Sequence, residues 1–121
     1  MASELSNMVF APFGQTFVIE CSNPANTAIQ VKPTGFYDDQ AITQYRVHNT
    51  GTAIAYLGYA TTAAAAETNA NTATDLATAD PADVISIAPG SVEILRLGVD
   101  TYFSGYSSPD VNVLITPGEG I

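Results

Sequence analysis

The feature that most restricts the fold is a succession of strand-length segments that alternate apolar and polar residues. Each is closed by glycine, proline, asparagine or aspartate. The densest example is residues 84–97, VISIAPGSVEILRL. It reads as a strand, a tight turn at Pro89-Gly90, and a second strand. Ser86 and Glu93 interrupt otherwise apolar runs, so at least one face of each strand is expected to be buried. Proline presets φ at the first central position of a turn, and glycine accepts positive φ at the second. The expectation is a hairpin around which the other strands pack.

The remaining segments follow the same grammar. Residues 15–20 place Phe17 and Ile19 on one face and Thr16, Val18 and Glu20 on the other. Residues 28–31 form a short strand. Residues 43–48 put Tyr45 and Val47 on one side and Gln44, Arg46 and His48 on the other. After the turn signal Asn49-Thr50-Gly51, residues 53–59 read as the returning arm of a second hairpin. Residues 101–104 and 111–116 complete the set, the last with Val111, Val113 and Ile115 opposed to Asn112 and Leu114. Residues 8–13 are either an edge strand or a segment that docks on a neighbour.

About eight strands with turns between them fit an all-β fold, a jelly-roll-like β-sandwich. Residues 1–13 are expected to form an N-terminal arm and residues 14–121 a single sandwich domain. The stretch 61–79, rich in Ala, Thr and Asn, shows no stripe of large apolar residues at helical spacing. Thr and Asn also disfavour helix interiors. It reads as a long surface loop with at most one helical turn near residues 63–67. Such a loop is either a contact element or a tolerated insertion.

Charge narrows the partners. The 121 residues carry twelve acids against Lys32, Arg46 and Arg96, a net charge of −9. Three cations cannot neutralise a run of phosphates, so nucleic acid is excluded as a partner, and anionic membrane surfaces are disfavoured. Only 12% of residues are charged, about half the ~25% of an average globular domain. A surface so poor in charge suits packing against other protein, and an oligomer is expected. The acids either keep the chain soluble or select neutral or basic partners.

Catalytic and metal-binding patterns are weak. His48 is the sole histidine and Cys21 the sole cysteine. They could make a base and a nucleophile, but nothing in the sequence brings them together. Cys21 reads as a small, partly buried residue, and no zinc or redox spacing exists. Asp38-Asp39 lacks the alternating acids or the bidentate glutamate of a calcium loop. Asp75, Asp80 and Asp83 are too loosely spaced for a metal site. No cofactor is expected. Tyr37, Tyr56, Tyr59, Tyr102 and Tyr106 could stack on sugars or serve protein contacts. Residues 1–7 show no signal sequence and no segment reaches membrane-spanning length, so synthesis in a cytoplasm without export is expected.

Three pieces carry a resemblance: Gln44-Tyr45-Arg46-Val47-His48-Asn49-Thr50-Gly51, Ile87-Ala88-Pro89-Gly90-Ser91-Val92-Glu93-Ile94, and Leu114-Ile115-Thr116-Pro117-Gly118-Glu119-Gly120-Ile121. Together they resemble the R-V-x-N-x-G, P-G-S-x-E and T-P-G-E-G motifs of small head decoration, or cement, proteins of tailed bacteriophages. The chain departs from that group in its 61–79 stretch. The resemblance implies a non-enzymatic virion protein on the capsid surface. It would bind the major capsid protein and itself as a homodimer or homotrimer. The expected capsid or subunit contacts are Phe10 and Phe13 from the arm, Arg46, His48 and Arg96 from the strands, and Glu119 from the C-terminal tail. The alternative is a tail- or fibre-associated module that recognises a host glycan.

Overall fold

The computed structural model describes residues 10–75 and 82–120. Among these residues nine strands form two antiparallel sheets: β1 (Ala11–Pro12), β2 (Phe17–Cys21), β3 (Ile29–Gln30), β4 (Gln44–Asn49), β5 (Ala55–Ala60), β6 (Val84–Ile87), β7 (Val92–Arg96), β8 (Tyr102–Tyr106) and β9 (Val111–Glu119). In the first sheet β1 and β2 share one side of β9, followed by β4 and then β7. The second has the order β3-β8-β5-β6. The pairs β2·β9, β3·β8, β4·β7 and β5·β6 are nested. This is one long antiparallel ribbon wound across two sheets. The chain is an all-β sandwich, as its strand pattern predicts.

The alternation assigns faces correctly. Ile19, Cys21, Tyr45, Val47, Val113 and Ile115 from the first sheet meet Leu57, Ile87 and Phe103 from the second in one buried cluster. Tyr45 and Phe103 pack edge to face, ring centres 5.3 Å apart, a favoured aromatic geometry. The buried Tyr45 hydroxyl donates to the Gly98 carbonyl at 2.7 Å and accepts from the Thr101 N–H at 3.1 Å. The ring fills the core while its polar end is satisfied.

Both expected hairpins are absent. β4 lies in the first sheet and β5 in the second, and likewise β7 and β6. The turn over residues 88–91 forms as read: Ser91 N–H donates to the Ala88 carbonyl at 3.1 Å and Gly90 has φ 75°. Yet it carries the chain between sheets, and so does the connection after Asn49. Asn49, fully buried, clamps the two crossovers. Its Nδ2 donates to the carbonyls of Ala53 and Ile87, both at 2.9 Å, and its Oδ1 accepts from the Gly51 N–H at 2.9 Å. Its main chain accepts from Gly90 and donates to Ser91. Segments 84–87 and 92–96 are therefore outer strands of their sheets. β7 is largely exposed, contrary to the expected burial, while β9 and β4 hold the centre of the first sheet.

The expected loop is mainly helical. Helix α1 (Ala63–Asn71) is followed by a 3-10 turn (Thr72–Asp75); residues 76–79 of that stretch lie outside the described residues. Thr62 caps the helix, its side chain accepting from the Ala65 N–H. The buried stripe consists of Ala66 and Ala70, one helical turn apart. Alanine contributes little hydrophobic contrast, so the pattern does not announce itself. It does permit close approach. A Cβ on Gly58 of β5 would collide with the backbone of Ala66 and Ala70. Helix α1 thus covers the outer face of the second sheet. Glu67 Oε2 accepts from the Ala28 N–H at 2.8 Å and Asn71 Oδ1 from the Ala25 N–H at 2.9 Å, which ties the β2–β3 connection to the helix.

The expected tail is also strand. β9 continues through Pro117, Gly118 and Glu119, paired with β4 and β1. Proline is unusual inside a sheet because it cannot donate to the ladder. The Pro117 carbonyl accepts from Phe13 N–H at 2.8 Å. The proline nitrogen faces the same side, where the chain bends between β1 and β2 and no ladder acceptor is required. Of the expected arm, residues 10–13 lie along the sandwich, while residues 1–9 fall outside the described part.

Candidate functional site

The two sheets differ in what covers their outer faces. The second lies under helix α1. The first has no such cover among the described residues, and side chains that would suit a core stand on it in solvent. Successive partners across β2, β9, β4 and β7 form the row Val18, Leu114, His48, Val92. The adjacent row is Thr116, Arg46, Ile94, with Thr16 bound to Thr116 by a 2.7 Å hydroxyl contact. A third row is Gly118, Gln44, Arg96. Val18, Val92 and Ile94 are 42%, 43% and 48% exposed. Isolated exposed apolar residues need no explanation, but Val92 and Ile94 share one face of β7, and half-buried Leu114 and His48 join them across the sheet to Val18, a grouping that marks a contact surface.

Charge on this face runs against the rest of the chain. Arg46 and Arg96, two of the three permanent cations, stand here with His48. Neither arginine has a carboxylate partner among the described residues; Arg96 only reaches the Thr43 hydroxyl at 3.4 Å. Glu20, opposite Asn112, is at one corner. At the other end Phe10 lies over Gly118, where a Cβ would meet the phenyl ring. Phe10, Pro12, Thr16, Arg46 and Thr116 line a shallow groove. Gln44 is covered there; its Nε2 donates to the Gly120 carbonyl at 2.9 Å, and its Oε1 is buried without a partner.

No family model matches the chain, and neither a curated protein nor a solved structure matches it.

Of the six expected contact residues, the structure brings four onto this face: Phe10, Arg46, His48 and Arg96. Phe13 is elsewhere. It is half-buried and stacks on Tyr37, ring centres 4.9 Å apart and planes 7° from parallel. Glu119, half-buried, pairs with Ala11 and alternates with Gly118, which puts it on the opposite side of β9. Val18, Val92, Ile94 and Leu114 are the functional candidates that the sequence reading missed. Their apolar character reads as burial, and only the sheet arrangement shows which ones remain uncovered.

The chemical pairings weighed from sequence are not assembled. Cys21 points into the core and His48 stands on the outer face of the same sheet. Cys21 is fully buried rather than partly so, and desolvation pushes its thiol up to about 12, only partly offset by a backbone hydrogen bond. Among the described residues no three His, Cys, Asp or Glu side chains converge on a metal position. Also among them, no helix is long and apolar enough to cross a membrane.

Proposed function

We propose that this protein is a non-enzymatic structural component of a tailed-phage virion that attaches to the outside of the capsid. The outer face of the β2-β9-β4-β7 sheet is its docking surface. The observation that carries this reading is that Val18, Val92 and Ile94, exposed on one sheet face that no other described residue covers, share it with Arg46 and Arg96 in a chain of net charge −9. The resemblance of its three turn motifs to those of head decoration proteins supports it. The complementary partner is an apolar capsid surface that bears carboxylates. The acidic remainder of the protein is repelled by such a surface, so charge orients the encounter.

Area sets the binding mode. Strands about 4.8 Å apart with a rise of about 3.4 Å per residue give four strands by five residues a footprint of roughly 300 Å². A stable one-to-one complex needs ~800 Å² per partner. One face is too small alone, so attachment depends on linked copies, a homodimer or homotrimer, binding several capsid subunits at once. Binding only the assembled shell stabilises it by mass action.

The test is cosedimentation of the purified protein with capsids that lack it. Saturable binding at a fixed ratio to the major capsid protein, weakened by Ile94→Lys or Arg46→Glu, is the expected result. Absence of binding to intact shells refutes the proposal. Binding that both variants retain in full removes this face from it.

A further inference from the structure

A second concave site lies at one end of the sandwich, away from the docking face. It is a cleft of about 370 Å³ built from five chain segments: the end of β5 (Tyr59, Ala60, Thr61), helix α1 (Ala65, Asn69), Asp83 ahead of β6, Leu97-Gly98 after β7, and Thr101 ahead of β8. We infer that this cleft binds a neutral sugar ring. The inference goes beyond capsid attachment and does not depend on it.

The chemistry of the walls selects the ligand. Asn69 Nδ2 donates one of its two protons to the Tyr59 carbonyl at 3.1 Å, which fixes the amide and leaves its oxygen and its second N–H free. The Thr101 hydroxyl donates its proton to the Gly98 carbonyl at 2.7 Å, so its oxygen is left as an acceptor. The Asp83 backbone carbonyl accepts from the Tyr59 N–H at 3.1 Å, holding the two residues side by side. The Asp83 side chain is exposed and has no partner among the described residues. The free polar groups on these three residues are therefore acceptors apart from one donor, the second Asn69 N–H, beside Tyr59 and the apolar surface of Ala60, Ala65 and Leu97. No lysine or arginine lines the cleft. Such a site takes a ligand whose groups both donate and accept hydrogen bonds and which has an apolar face, which describes a sugar ring. An anionic ligand would meet Asp83 in a chain of net charge −9.

Isotope-labelled full-length protein titrated with galactose, glucose and N-acetylglucosamine, with glucuronate as the anionic comparator, tests this. The expected result is saturable amide shifts for at least one neutral sugar at Tyr59, Thr61, Ala65, Asn69 and Thr101. Glucuronate should give none, and Asp83→Asn should weaken binding about tenfold, the loss of one charge-assisted hydrogen bond. The exposed position of Asp83 lets that variant fold, which its unperturbed spectrum away from the cleft would show. No saturable shift with any neutral sugar overturns the inference. So do shifts centred on Tyr37 or on Tyr56 and Tyr106, whose ring centres lie 6.2 Å apart, or equal binding of glucuronate.

Discussion

Replacing Asn49 by alanine tests the idea that one side chain holds both sheet crossovers. The substitution removes three hydrogen bonds of 2.9 Å, two to main-chain carbonyls and one from a main-chain N–H, at a site with no solvent exposure. Each lost bond that strands a buried group costs about 1 kcal/mol or more, so Asn49→Ala should cost on the order of 3 kcal/mol. That is a large part of the ~5–15 kcal/mol by which a domain is stable. For a chain of this length it lowers the melting temperature by on the order of 10 °C. Urea unfolding of the two proteins, fitted with a common slope, provides the measurement. Asn49→Asp keeps the acceptor for Gly51 but turns a carboxylate toward the carbonyls of Ala53 and Ile87, and should be at least as damaging. A loss below about 0.5 kcal/mol for Asn49→Ala, the range of ordinary surface changes, would refute the clamp.

Three further outcomes are expected. Gly58→Ala forces a Cβ into the backbone of Ala66 and Ala70, and should cost about 1–3 kcal/mol as overpacking while reducing the helical signal in circular dichroism. The Cys21 thiol should resist labelling in the native protein and react once unfolded. Its pKa is raised from 9.0 to about 12, so the folded state holds the proton that the unfolded state releases. The contribution is present below pH 9 and lost as pH rises toward 12, and Cys21→Ala should flatten that part of the stability profile. Finally, Ile94→Lys and Arg46→Glu should each weaken the proposed capsid attachment by about tenfold or more. Both positions are exposed, so melting temperatures should stay near the parent's.

Strand positions and the faces of β2, β4 and β9 were legible because alternation reports burial locally. Pairing was not. The Ala88-Pro89-Gly90-Ser91 turn has the same chemistry whether its arms pair with each other or part into two sheets, and the element that decides, Asn49, acts from 38 residues upstream of Ile87. Helix α1 was hidden because its buried stripe is alanine, chosen for closeness to Gly58 rather than for hydrophobicity. On the candidate face, Arg46 and His48 were legible as neighbours two residues apart on one strand. Their company with Val18 and Ile94 was not, since an apolar residue on a strand looks the same whether or not another layer covers it.

The nested ribbon also governs the order in which the molecule can be made. β9 contributes the strand on which both β2 and β4 pair, and its partner Phe17 precedes Ile115 by nearly a hundred positions. Until β9 leaves the ribosome the first sheet has no centre, and β2 and β4 present open edges to other nascent chains. Long-range pairings of this kind make folding slow relative to helical proteins of equal size. The outer face that no other described residue covers is thus completed only after translation of β9, which delays the proposed attachment through it until β9 has paired.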